Sequence, residues 1–251
     1  MATRLWNPLN VFSDREAMSQ AVARALVEAV SGCTRFTIAL SGGGTPKTLY
    51  RLLATDFREQ IPWERVHLFW SDERYVAPEH PESNIGMVRK ELIDGVPIPE
   101  ANVHAPRTDL EEPDDAARLY EEDVRRLLGY DPRFDWMLLG LGEDGHVASL
   151  FPDSAAVEER DRLVVAVRDS PKPPSLRLTM TPPLINRSRE IHMLVAGASK
   201  RHALEKFREK KSTTWLRPPT VWVDRAASIR DDTRRAQDHV QEDRDEKDHR
   251  H

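Results

Sequence analysis

The chain has 251 residues, 39% hydrophobic and 7% aromatic, with 37 basic against 42 acidic side chains and a formal charge of −5. That length suits one large or two small domains with a buried core, and the acidic balance is no electrostatic footprint for nucleic acid. A single cysteine, Cys33, excludes an internal disulfide and fits a reducing cytosol, no apolar stretch approaches the roughly 20 residues of a membrane helix, and residues 1–10 carry no secretory h-region.

Ser13-Asp-Arg-Glu16 reads as a capping box, with Ser13 at the N-cap and Glu16 at N3. Ala17, Ala21, Val22, Ala25, Leu26, Ala29 and Val30 then form one apolar stripe, and Gly32 is a C-terminal stop. An amphipathic helix covering a sheet is expected. Phe36 to Leu40 is a short apolar strand that runs into Ser41-Gly-Gly-Gly-Thr-Pro46, after which helical spacing resumes at Lys47. Thr45 is expected as N-cap and Pro46 as N1. Strand, triple glycine and capped helix is an arrangement that turns backbone N–H groups toward an anion, although an ordinary tight turn is the alternative. The Gly-x4-Gly-Lys-Ser/Thr spacing of a P-loop is absent.

Val66 to Trp70 is the next strand, ending in Ser71-Asp-Glu-Arg-Tyr75. From there Arg74 could reach a phosphate bidentately or pair at the surface with Asp72 or Glu73. Asn84 is expected to cap a helix through Leu92, with a loop around Pro97 and Pro99. Glu111 to Leu128 is acidic early and basic late, as the helix dipole favours.

The apolar run from Trp136 to Leu139 is short enough for one buried strand. It stops in Gly140, Gly142 and Gly145, and the turn carries Glu143, Asp144 and His146. Ligands of open α/β sheets bind beyond the carboxyl ends of the strands, so His146 is a candidate general base with Asp144 as its orienting carboxylate. A solvated surface histidine is the alternative. If Asp144 stabilises the cation, His146 should titrate near or somewhat above the ordinary ~6.5. Gly140-x-Gly142-x-x-Gly145 is formally a dinucleotide fingerprint, but two carboxylates inside the turn would repel pyrophosphate.

The pattern then repeats more weakly. Leu163 to Val167 reads as a strand, Ser170-Pro-Lys-Pro-Pro174 as a rigid loop, Leu176 to Met180 as an alternating strand, and Thr181-Pro182 as the start of a short helix. Ile191 to Ala196 is a strand opening through Gly197-Ala-Ser199 into a helix bearing Lys200. A lysine in a first helical turn opposes the dipole unless an anion offsets it, which makes Lys200 a candidate ligand contact. Val221 to Val223 is the last strand. Residues 231–251, with eight acidic and five basic side chains against Ala236 and Val240, cannot bury enough apolar area to order themselves. His249 and His251 are read as solvated. The alternation of elements argues an α/β fold, a mostly parallel sheet with helices on both faces, in one domain over 1–230 followed by a charged tail over 231–251.

Ser41-Gly-Gly-Gly-Thr-Pro46, Ser71-Asp-Glu-Arg74, the block from Gly140 to Pro152 and Gly197-Ala-Ser-Lys200 together resemble the 6-phosphogluconolactonases. Ser83-Asn84 with Arg89, Leu176-Arg-Leu-Thr179 and Trp222-Val-Asp224 with Ala226-Ala227 are similar to the family as well, so the likeness spans about 37–228. It implies a Rossmann-like fold shared with glucosamine-6-phosphate deaminase. It also implies cofactor-free hydrolysis of 6-phospho-D-glucono-1,5-lactone in the oxidative pentose phosphate pathway, by a cytoplasmic monomer with no nucleic acid or membrane partner. In that reading His146 is the base that activates water, Asp144 stands beside it, and Gly43, Gly44, Thr45, Arg74 and Lys200 hold the phosphate. The chain departs from the family at Gly44, where serine is common, at Val147, where threonine is frequent, and in an irregular segment from Lys211 to Thr220.

An intramolecular ester needs an activated water and a stabilised oxyanion, and a neutral imidazole suits the first at pH 7. No Gly-x-Ser-x-Gly elbow occurs to suggest an acyl-enzyme. The rivals are a sugar-phosphate deaminase and a non-catalytic sugar-phosphate sensor. Deaminases carry a carboxylate where Ser149-Leu-Phe151 has none, and a sensor acting as a regulator would need a DNA-binding segment that ten residues before the first helix leave no room for.

Overall fold

The apolar runs Phe36 to Leu40, Val66 to Trp70 and Trp136 to Leu139 lie side by side at the centre of the molecule. The computed structural model describes residues 9–209 and 213–228; the tail expected over 231–251, with His249 and His251, lies outside them. The strands are β1 (Asn10–Phe12), β2 (Phe36–Leu40), β3 (Val66–Trp70), β4 (Asp72–Arg74), β5 (Trp136–Gly140), β6 (Val164–Val167), β7 (Arg177–Met180), β8 (Glu190–Val195) and β9 (Thr220–Asp224). The helices are α1 (Arg15–Val30), α2 (Lys47–Ala54), α3 (Asn84–Glu91), α4 (Pro113–Leu128), α5 (Pro182–Arg187) and α6 (Arg201–Arg208).

Six strands form one parallel sheet in the order β1-β9-β8-β5-β2-β3. Successive residues of a strand point to opposite faces, and both faces here are buried, so the strands read as unbroken apolar runs. Ile38, Leu40, Leu68, Trp70, Trp136 and Leu138 join α1, α2 and α3 in one core. Ala39, Phe69, Met137, Leu139, Met193 and Val195 face the other way, into a core closed by α4, α5 and α6. Helices cover both faces, as the sequence pattern implies.

From β2 the chain winds outward to β3, then returns across β2 to β5 and continues outward through β8 to β9. The winding reverses between β2 and β5, so the crevice beyond their carboxyl ends is where such sheets bind ligands. A staple marks the opposite end of that seam. Asp135 accepts from the Thr37 N–H at 2.9 Å and the Thr37 hydroxyl at 2.8 Å, and its own N–H donates to Thr37 O at 3.0 Å.

A second, antiparallel sheet in the order β4-β7-β6 was not legible in the sequence. Its strands β6 and β7 answer to the strands expected over Leu163 to Val167 and Leu176 to Met180, whereas the charged triplet Asp72-Glu73-Arg74 reads only as the end of the preceding strand. Ser71 joins the two sheets, since its N–H and hydroxyl both donate to Leu40 O while Met180 N donates to Ser71 O.

Three expected caps shift by one residue. Asp14 is the N-cap of α1, accepting from Ala17 N at 2.8 Å, while Ser13 donates to the Asp14 carboxylate. Ser83 caps α3 through Gly86 N, which leaves Asn84 inside the helix. Thr45 does not cap α2, which begins at Lys47 after a turn, with Pro46 at the N-cap position and no side-chain cap. Adjacent residues with capping oxygens compete, and backbone entry angle decides between them.

Candidate active site

Three loops converge beyond β2, β5 and β8. In the first, Gly42 is required by space: a Cβ there would lie 1.8 Å from Asn84 Oδ1. Gly43 is required by its backbone, at φ +88°. Tyr50 pins the loop from below, its hydroxyl donating to Ser41 O at 2.6 Å and accepting from Ser41 N at 3.2 Å. Among the described residues the N–H groups of Gly43, Gly44 and Thr45 donate to no other protein group, which leaves them available to an anion. Gly44 has open space at its Cβ, so a side chain there would be accommodated.

The second loop follows β5. Gly142 N donates to His146 O at 2.8 Å and closes a tight turn that returns the imidazole over the strand end. His146 Nδ1 lies 2.6 Å from Asp144 Oδ1. With the carboxylate ionised, Nδ1 carries the proton and donates, and Nε2 is left as the acceptor. The ring packs on Phe151 at 4.5 Å between centroids. Burial lowers the His146 pKa from the ordinary 6.5 and outweighs Asp144, which raises it. The expectation of a value near or above 6.5 is therefore corrected: it counted the carboxylate and omitted the desolvation that makes a cation costly. For Asp144 the balance runs the other way. Burial raises its pKa, but the His146 ring and Lys172 outweigh that and hold it at about 2.

The third loop follows β8. Asp224 fixes it by accepting from Gly197 N at 3.1 Å and Ala227 N at 2.9 Å. Lys200, at the N-cap of α6, reaches Glu143 with Nζ 3.9 Å from Oε1. Burial lowers its pKa.

Arg74 enters from β4. One of its terminal nitrogens donates to Glu82 O at 2.8 Å and lies 3.3 Å from Glu82 Oε2, whereas Nε is buried with no partner among the described residues. The surface pairing with Asp72 or Glu73 does not form. Glu73 instead points inward, fully buried, and accepts from the N–H groups of Arg74, Asn84 and Ile85 and from the Ser83 hydroxyl. Burial pushes its carboxyl up to about 7 against those donors.

Gly43, Gly44, Thr45, Arg74, His146 and Lys200 all line one cavity of about 450 Å³, and Asp144 stands behind His146. Sequence reasoning missed three side chains on the same wall. Asp72 accepts from Ser149 Oγ at 2.7 Å, Arg177 reaches that hydroxyl at 3.4 Å, and Lys172 lies 3.3 Å from Asp144 Oδ2. Their separations in sequence gave no signal, and in an alternating strand Arg177 reads as an ordinary residue of the polar face.

A carboxylate-oriented imidazole at the switch point of a doubly wound sheet, in a cavity rimmed by cations and unused N–H groups, defines an acid–base site for a small anionic ligand. Residues 13–231 match the family described as glucosamine-6-phosphate isomerases/6-phosphogluconolactonase. The chain is 48% identical over 187 residues to a 6-phosphogluconolactonase of Synechocystis, covering 73% of this chain and 75% of that one. It is 42% identical over 207 residues to a 6-phosphogluconolactonase of Mycobacterium tuberculosis, covering 78% and 83%. The crystal structure of 6-phosphogluconolactonase from Thermotoga maritima superposes with a TM-score of 0.76 at 28% identity, over 86% of this chain and 98% of that one. The chain belongs to the glucosamine-6-phosphate isomerase/6-phosphogluconolactonase family.

Proposed function

We propose that this protein hydrolyses 6-phospho-D-glucono-1,5-lactone to 6-phospho-D-gluconate, as a cofactor-free monomer in the cytoplasm. The observation that carries the reading is the 2.6 Å His146–Asp144 pair opening on the cavity that Arg74 and Lys200 line. Water lying against His146 Nε2 gives up a proton as its oxygen attacks the lactone carbonyl. Asp144 holds the imidazolium that forms. The tetrahedral intermediate then collapses with cleavage of the ring C–O bond, and the departing alkoxide takes the proton from His146. Arg74, Lys200 and the N–H groups of Gly43, Gly44 and Thr45 hold the phosphate, whose charge matches theirs.

Hydrolysis is favoured over deamination by the segment after His146. Ser149, Leu150 and Phe151 are all buried, and Ser149 donates to Asp72, so this stretch brings no carboxylate to the substrate. The test is lactone opening measured above the spontaneous background, with phosphorylated and unphosphorylated gluconolactone compared. A clear preference for the phosphorylated lactone is expected. Release of ammonia from glucosamine 6-phosphate without lactone hydrolysis would refute the assignment.

A further inference from the structure

The buried guanidinium of Arg177 has no part in the reaction just described. It is 2% exposed, and a charge so placed is costly unless its donors are all used. They are used on one short loop and on the Ser149 hydroxyl, with one ring beneath the guanidinium. Nε donates to Pro174 O at 3.0 Å and a terminal nitrogen to Lys172 O at 3.0 Å. The guanidinium carbon lies 5.5 Å from the centroid of Phe151, whose ring also meets His146. Ser170 adds a donor to Lys172 O at 2.8 Å. The backbone of Lys172 is thus fixed from two sides, by the residue that also backs the ring supporting His146. From that anchored backbone the Lys172 ammonium reaches the cavity and sits 3.3 Å from Asp144 Oδ2, while His146 occupies Oδ1.

We propose that Lys172 is a positioning residue of the hydrolytic pair, its ammonium holding the outer oxygen of Asp144 so that the carboxylate is oriented against His146 and the imidazole stays uncharged and ready to accept a proton. This inference rests on the lactonase reading. The charges facing His146 are Asp144 from its own loop, Asp72 from β4 and Lys172 from the β6–β7 loop. Arg177 lies over Phe151 and turns to Ser149, and Lys200 is turned to Glu143. The two carboxylates favour the imidazolium. Burial and Lys172 oppose it, and only Lys172 can be removed without emptying the core.

The experiment compares wild type, Lys172→Met and Lys172→Arg in the pH dependence of kcat/KM, and follows the His146 ring by NMR titration without substrate. In Lys172→Met the acid limb and the titration should both move up by about 0.5–1 pH unit, the scale of one partly screened charge nearby. KM should stay nearly unchanged, and Lys172→Arg should restore the wild-type position. An unmoved limb and titration would overturn the proposal. So would a KM increase of about tenfold with the limb unmoved, which puts Lys172 on the substrate's phosphate. Should the methionine variant fail to fold, Lys172→Gln carries the same test. A wild type without lactonase activity would refute the function, and the His146 titration would still decide the role of Lys172.

Discussion

A methyl group added at position 142 would lie 2.1 Å from His146 Nδ1 and 2.5 Å from Asp144 Oδ1. Gly142 is not among the glycines with positive φ, so alanine suits its backbone and only space is at issue. Both obstructing atoms are side-chain ends, so the fold can yield by swinging them aside. An ordinary contact then requires the imidazole to retreat by more than about 1 Å, and a displacement of even that size in a reacting group can cost on the order of 10²-fold. Loss of the 2.6 Å bond to Asp144 adds to this, because the proton on Nδ1 is no longer fixed. Gly142→Ala should therefore lower kcat by about 10²–10³-fold while Tm falls by only a few degrees. The assay is lactone opening at saturating substrate, corrected for the spontaneous rate, beside a thermal melt and circular dichroism. Gly44→Ser is the contrasting variant: its Cβ has open space, so the fold should be kept, and any loss should appear in KM for the phosphorylated lactone and not in kcat. Near wild-type kcat in Gly142→Ala would mean that the His146–Asp144 geometry is not what sets the rate.

His146→Ala should lower turnover by about 10²–10⁴-fold, the usual contribution of a positioned base, and leave binding of 6-phosphogluconate intact by calorimetry. Because the working form is the neutral imidazole and burial lowers its pKa, the acid limb of wild-type kcat/KM should have its midpoint below the ordinary 6.5. A midpoint above 6.5 would contradict that sign. Arg74→Ala and Lys200→Ala should each weaken the phosphorylated lactone by roughly 1.5–3 kcal/mol, about one to two orders of magnitude in KM, with little effect on unphosphorylated lactone. Equal losses on both substrates would remove them from the phosphate site. Glu73→Gln replaces an acceptor for four donors by a group that must donate itself, at a position with no exposure. It should cost about 2–4 kcal/mol and lower Tm by roughly 5–15 °C, measured at pH 8, and an unchanged melt would show those bonds to be dispensable.

The strands of the parallel sheet were legible because both faces are buried, so Phe36 to Leu40 and Trp136 to Leu139 stand out as apolar runs. The loop holding His146 was legible because Asp144 and the glycines that turn it lie within a few residues of it. What escaped depends on distance or on solvent. Ser149 and Asp72 meet across 77 positions, and Arg177 reaches Ser149 across 28. Lys172 reads as an ordinary loop lysine until the fold sets it against Asp144. The direction of the His146 shift escaped for another reason, since desolvation is a property of the packed molecule.

The Thr37–Asp135 staple closes the seam between β2 and β5 across 98 positions of the chain. The anion loop and the base stand on opposite banks of that seam, one leaving β2 and the other β5. Neither half of the chain can therefore assemble a working site by itself, and contacts of such sequence separation are among the slowest to form. Recovery of turnover during refolding should lag the return of helical signal, so that the rate of product formation times the docking of the two halves.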